Sequence, residues 1–118
     1  MGQIVEINQK RLFSLEDARD LLPVVRRVTK SSYEVVKRLS TQLSFIPDKA
    51  KQAKIEEQIQ GVIQEWNTKI RKLGCEAKGM WLVDFDSGDG YYCWRYPEPN
   101  INYFHGYFEG FRGRVKIH

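Results

Sequence analysis

The feature that most limits the fold is a change of pattern at Gly74. Before it, apolar residues recur three and four positions apart along two stretches. After it rings take over, with eleven of the chain's 15 aromatic residues between Trp81 and Phe111. A 3-and-4 repeat belongs to a helix with one apolar stripe, whereas dense rings broken by glycine-rich turns suit short strands. A chain of 118 residues has room for one domain. The expectation is therefore an α+β fold, a long antiparallel helical hairpin over 14–73 packed on a small antiparallel β-sheet within an aromatic-rich unit over 75–118, all in a single domain over 1–118.

Residues 1–13 read as a flexible or strand-like lead-in ending on Leu12 and Phe13. Ser14 offers an N-cap, with Glu16 and Asp17 in the first turn where the helix dipole favours negative charge, and Phe13 is placed to staple onto Ala18. Pro23 interrupts this pattern. An interior proline lacks an amide hydrogen and costs about 3 kcal/mol, so the sequence predicts a short N-terminal helix over 15–22, a kink or break, and a long helix over 23–45. Val25, Val28, Ser32, Val35, Leu39 and Ile46 form the stripe of the second piece, widened by Val36 and Leu43. Pro47 and Asp48 mark the turn, and Asp48 can cap the next helix. That helix carries the stripe Ile55, Ile59, Val62, Ile63, Trp66, Ile70 and Leu73. Gly74 is the expected left-handed stop, preceded by Lys69, Arg71 and Lys72, whose charge suits a helix C-terminus. Two matched stripes joined by a few residues make a hairpin. They have coiled-coil spacing and are wide enough to meet a second helix pair as well as the sheet, so a homodimer through the hairpins is expected.

In the C-terminal third, Trp81-Leu82-Val83-Asp84-Phe85 reads as a strand, Asp86–Gly90 as a turn and Tyr91–Arg95 as the return strand. Pairing around that turn sets Asp84 opposite Tyr91 or Tyr92. Pro97 and Pro99 end the pattern, Ile101–His105 reads as a third strand, and Val115–Ile117 as a short last one. The glycines at 88 and 90, and at 110 and 113, read as turn residues.

Several of these segments resemble a known family. Phe13-Ser14-Leu15-Glu16-Asp17-Ala18 with Leu21-Leu22-Pro23 resembles the opening of the bacterial domain-of-unknown-function family 2203. So does Leu73-Gly74, where the second helix gives way to an extended segment. The more specific matches are Leu82-Val83-Asp84-Phe85, then Cys93-Trp94-Arg95, Glu98, Ile101, His105, Gly110-Phe111 and Gly113-Arg114. They run in order over about residues 12–117. Where the family has tryptophan before its histidine this chain has Phe104, and where it often has glycine before the glutamate this chain has Pro97. The resemblance implies a small cytoplasmic bacterial protein and carries no assigned reaction, substrate or cofactor.

The residues that could carry chemistry are Asp84, Arg95, Glu98 and His105, with Arg112 and Arg114 nearby in sequence. The leading reading is a non-enzymatic binding or interaction module. In it Arg95 and Arg114 hold a small anionic ligand or a protein partner, His105 donates a hydrogen bond and Glu98 orients one of them. The alternative is a small metal-dependent or acid–base enzyme using Asp84, Glu98 and His105, since a histidine can serve as base or ligand when a carboxylate fixes its tautomer. Against both stands a purely structural use, an Arg–Glu pair and a hydrogen-bonded histidine in a ring-rich core. No Walker loop, GxGxxG, GxSxG or HExxH is present, and no cofactor is expected beyond that alternative metal.

Net charge is +4 and lies on the helices, 12 Lys/Arg against 8 Asp/Glu over 14–73 and 5 against 6 over 74–118. This is a weaker concentration than nucleic-acid binders show, so binding through the basic helices and the Tyr103–Arg114 tail is the third reading. Cys75 and Cys93 lack a CxxC spacing and read as free buried thiols. With no uncharged run of roughly 18 residues for a membrane span and no signal-peptide core in Met1–Arg11, the expected location is the cytoplasm.

Overall fold

The computed structural model describes residues 11–117, so the expected lead-in over residues 1–10 lies outside the described residues. The first helix, α1, spans Leu15–Leu43 and is capped reciprocally. Ser14 Oγ accepts from the Asp17 amide at 3.0 Å, and the Ser14 amide donates to Asp17 Oδ2 at 3.3 Å. The predicted break at Pro23 does not occur, and α1 runs through it as one helix. Pro23 stands on the exposed face while Leu22 and Val25 on either side are buried. The proline's own φ is helical, the missing ladder bond falls where water reaches, and core packing on the opposite side holds the path.

Burial along α1 falls on Ala18, Leu22, Val25, Thr29, Ser32 and Val36. The centre of the stripe therefore includes Thr29, while Val28 and Val35 sit half-buried at its margins. The reason lies on the facing helix. Trp66 is fully buried and its indole Nε1 donates to Thr29 Oγ1 at 2.9 Å, so the large ring needs a polar partner at that point. The second helix, α2, spans Lys49–Lys72, is capped by Asp48 on the Ala50 amide at 2.8 Å, and is followed by Gly74 at φ +90°, the left-handed stop expected from the sequence. No helix among the described residues is long and apolar enough to cross a membrane.

Five strands follow as an antiparallel meander: β1 Glu76–Gly79, β2 Leu82–Asp86, β3 Tyr91–Arg95, β4 Tyr103–His105 and β5 Val115–Lys116, each paired with the next. β1 has no apolar alternation and owes its form to pairing with β2. β2 begins one residue later than the sequence predicts because Trp81 takes φ +71°. A non-glycine residue there costs roughly 1–3 kcal/mol. Its ring repays that by packing edge-on against Trp66 at 5.1 Å and Tyr33 at 5.9 Å. The expected register also shifts. The Ser87 amide bonds the Gly90 carbonyl at 2.8 Å, closing a four-residue loop, so Asp86 pairs with Tyr91 and Asp84 with Cys93.

Because side chains alternate across a strand, this register sorts the sheet into two sides. Val83, Phe85 and Trp94 face the hairpin and share one core with Ala18, Leu22, Val25, Trp66 and Ile70. Phe13, expected to staple onto Ala18, joins the same core and meets Phe85 edge-on at 5.3 Å. Asp84, Asp86, Tyr91, Cys93 and His105 lie on the other side, beneath the loop that follows β4.

Candidate functional site

Asp84 and Cys93 are cross-strand partners, and Tyr91 pairs with His105 on the neighbouring strand, so all four side chains emerge on the side away from the helices. There His105 Nε2 lies 3.1 Å from Asp84 Oδ2, and His105 Nδ1 lies 2.8 Å from the Gly106 carbonyl. The carbonyl can only accept, so Nδ1 carries a proton and donates to it. One further proton then sits between Nε2 and the carboxylate. Relative exposure is 2% for Asp84, 1% for Cys93 and 5% for His105.

Burial raises the Asp84 pKa, with the His105 partner pulling against it. Burial first, and then the neighbouring Asp84 charge, push the Cys93 thiol up to about 12. A carboxyl oxygen of Asp84, the Cys93 sulfur and a ring nitrogen of His105 all lie within 4.8 Å of one another.

A residue without a side chain sets this spacing. A Cβ at Gly90 would fall 2.6 Å from the His105 carbonyl oxygen and 2.5 Å from Phe104 Cζ. Only glycine therefore lets β4 lie this close, a role beyond the turn expected from the sequence. The loop after β4 is tied down by its own bonds. The Gly106 amide donates to Glu109 Oε1 at 2.8 Å, and the Tyr107 hydroxyl donates to Asp86 Oδ1 at 2.7 Å while its ring packs edge-on against Tyr91 at 5.1 Å. Between loop and sheet is a cavity of about 330 Å³ with Asp84, Cys93 and His105 on its floor and Tyr91, Tyr107 and Phe108 among its walls.

The residues singled out from sequence divide into two groups. Asp84 and His105 meet at the cavity floor. Glu98 and Arg114 meet each other, through Nη1 to Oε1 at 3.1 Å and a closer Nη2 to Oε2 bond. Glu98 is also a backbone organiser: Oε1 accepts from the Arg95 amide at 2.8 Å, and its carbonyl accepts from Trp94 Nε1 at 2.8 Å. The Arg114 guanidinium lies between the rings of Tyr103 and Phe111, at 3.9 and 4.2 Å. Arg95 is exposed, 5.5 Å from the Phe111 ring, and Arg112 is exposed. The two groups touch where Arg114 Nη1 approaches Cys93 Sγ at 4.0 Å.

Cys93 is the member that sequence reasoning left among the inert thiols. Both cysteines are indeed free and buried. The signal for Cys93 was parity: counted outward from a four-residue turn, it is the residue that must face Asp84.

The family model for an uncharacterized conserved protein, DUF2203, matches residues 11–117, and the chain belongs to that family. No curated protein and no solved structure matches it.

Proposed function

We propose that this DUF2203 member is a binding module that holds a small ligand over Asp84, Cys93 and His105 without converting it. One observation carries the reading: a buried Asp84–His105 pair forms the floor of a ring-walled cavity of about 330 Å³, the usual form of a small-molecule site. Its chemistry suits a ligand with a flat apolar body and one hydrogen-bonding end. The Cys93 thiol, pushed up to about 12, stays protonated at neutral pH and is a poor nucleophile. The narrower form, an anion held by Arg95, Glu98, His105 and Arg114, has less support because Glu98 already neutralises Arg114.

The test is an NMR titration of labelled protein with aromatic amines and carboxylates. Shifts should cluster at Tyr91, Gly106 and Tyr107, and should vanish in Leu82→Trp, which fills the cavity from β2. Shifts that persist in that variant, or none at all, would sink the reading.

The second reading is the enzyme, acid–base or metal-dependent, built on Asp84, Glu98 and His105. The 3.1 Å Asp84–His105 contact favours it, while Glu98 stands apart with Arg114. Turnover of a captured ligand that is lost in a folded His105→Gln variant would move the conclusion there.

For the homodimer, the support among the described residues is the exposed Phe45 at the hairpin tip, beside half-buried Leu43 and Ile46. Along α1, Val24, Val35 and Leu39 are also half-buried and stand outside the core cluster. Two free thiols suit a cytoplasmic setting. Nucleic-acid binding would use the basic hairpin surface and, in the tail, exposed Phe108 and Arg112, since Arg114 is already paired, and it would show as retardation that weakens steeply with salt.

A further inference from the structure

The cavity floor has the ligand set of a metal centre, and from it we infer that Asp84, Cys93 and His105 together bind a divalent transition-metal ion of the zinc type, leaving a fourth position open to the cavity. The inference deepens the binding reading, resting on it for solvent access to the floor, and it names the occupant.

Three observations carry it. The first is spacing. A tetrahedral centre with bonds of about 2.0–2.3 Å sets its ligand atoms roughly 3.3–3.8 Å apart. Here the three atoms already lie within 4.8 Å of one another, with one pair at 3.1 Å, so small side-chain rotations complete the geometry.

The second is the outer shell. His105 Nδ1 donates to the Gly106 carbonyl, which fixes the tautomer that turns the Nε2 lone pair inward, the arrangement metal-binding histidines use. Arg114 Nη1 approaches Cys93 Sγ at 4.0 Å, from where its remaining N–H can donate to a metal-bound thiolate. Glu98, which the sequence reading placed in a metal set with Asp84 and His105, is instead the residue that holds Arg114 in this position.

The third is charge. A carboxylate, a thiolate, a neutral imidazole and a divalent ion sum to zero, whereas either anion alone is disfavoured at this depth. Thiolate and imidazole select zinc, cobalt or iron over magnesium and calcium. Binding exchanges protons for the ion. The Cys93 S–H proton and the proton between Asp84 and His105 leave to solvent as the three metal bonds form.

Cobalt(II) alone is the probe. Titration of the full chain should saturate at one equivalent, with a near-ultraviolet thiolate-to-cobalt band and the intense visible bands of a four-coordinate ion. Cys75→Ser should keep both. Cys93→Ser should lose the thiolate band and weaken binding by more than the roughly 10–100-fold expected for losing an outer-shell partner. Should that variant fail to fold, X-ray absorption of zinc-loaded wild type decides the matter, with one sulfur at about 2.3 Å expected.

No saturation, no thiolate band, or a band surviving in folded Cys93→Ser overturns the inference. If cobalt fails while aromatic fragments still perturb Tyr91 and Tyr107, the metal is overturned and the cavity reading stands. If fragments fail while cobalt binds at one equivalent with its thiolate band, the ion is the occupant.

Discussion

The two sides of the sheet are built from the same strands and are buried to nearly the same depth, yet they are held by different forces. Val83, Phe85 and Trp94, all at 0% exposure, face the hairpin among other apolar side chains. Asp84, Cys93 and His105, at 5% or less, face the C-terminal loop. On the first side stabilisation is non-directional and scales with the area removed from water. On the second, each polar atom must find its own partner, and every buried side-chain polar atom among the described residues has one. Depth alone does not tell a core from a site. What differs is how each responds when one residue is removed.

The largest effect is expected on the helix side. Trp94→Ala removes a fully buried indole and the shorter of two bonds to the Glu98 carbonyl, which keeps only the Arg26 Nη2 donor at 3.3 Å, and should cost about 3–5 kcal/mol in chemical denaturation. A loss under about 1 kcal/mol, the size of a surface substitution, would break the contrast.

A smaller and distinctive response is expected from the other side. His105→Leu takes the ring away from buried Asp84 and leaves it only the weak Cys93 thiol donor, which should cost about 1–3 kcal/mol. Combining it with Asp84→Leu should recover much of that, because two apolar side chains no longer need each other. If the two costs simply add, the pair is not coupled in the way the geometry implies.

The last effect is absent at neutral pH and visible only at alkaline pH. Burial pushes the Cys75 thiol from 9.0 to about 12, with the Arg11 charge opposing. The folded state then keeps its proton where the unfolded chain has lost it. The thiol's share of stability is complete below about 9 and drains away as pH climbs toward 12. Cys75→Ala should lose less stability than wild type over that window. Matching slopes would show that the thiol is wetter than its place in the core implies.

The helix side was the more legible of the two. Ser14, Asp48 and Gly74 announced the helix ends, and Trp66, Ile70 and the ring-rich strands announced the core, because caps and apolar periodicity are local signals. Pro23 misled for the same reason: its cost is local, while the packing of Leu22 and Val25 that overrides it is tertiary. β1 was missed because Glu76-Ala77-Lys78-Gly79 becomes a strand only through its neighbour.

On the site side, Asp84 and His105 were legible as residue types, but their meeting was not. It depends on the loop length between β2 and β3 and on the bare backbone at Gly90. Glu98 looked like a ligand because nothing in the sequence revealed that Arg114, sixteen residues later, would claim it. Cys93 is the free buried thiol expected, but its place beside Asp84 was not legible, because a one-residue uncertainty in register moves a side chain to the opposite side of a sheet.

The register carries a last consequence, for insertions and deletions. One residue added to or removed from the Ser87–Gly90 loop, if taken up as a slip of β3 past β2, would turn Trp94 outward and Cys93 inward together. That single change would empty the core and dismantle the polar cluster at once. The hairpin tip at Ser44–Asp48 carries no such double duty and can vary in length. Length variation among natural versions of this fold should therefore gather at the tip and avoid the tight connection between the two central strands.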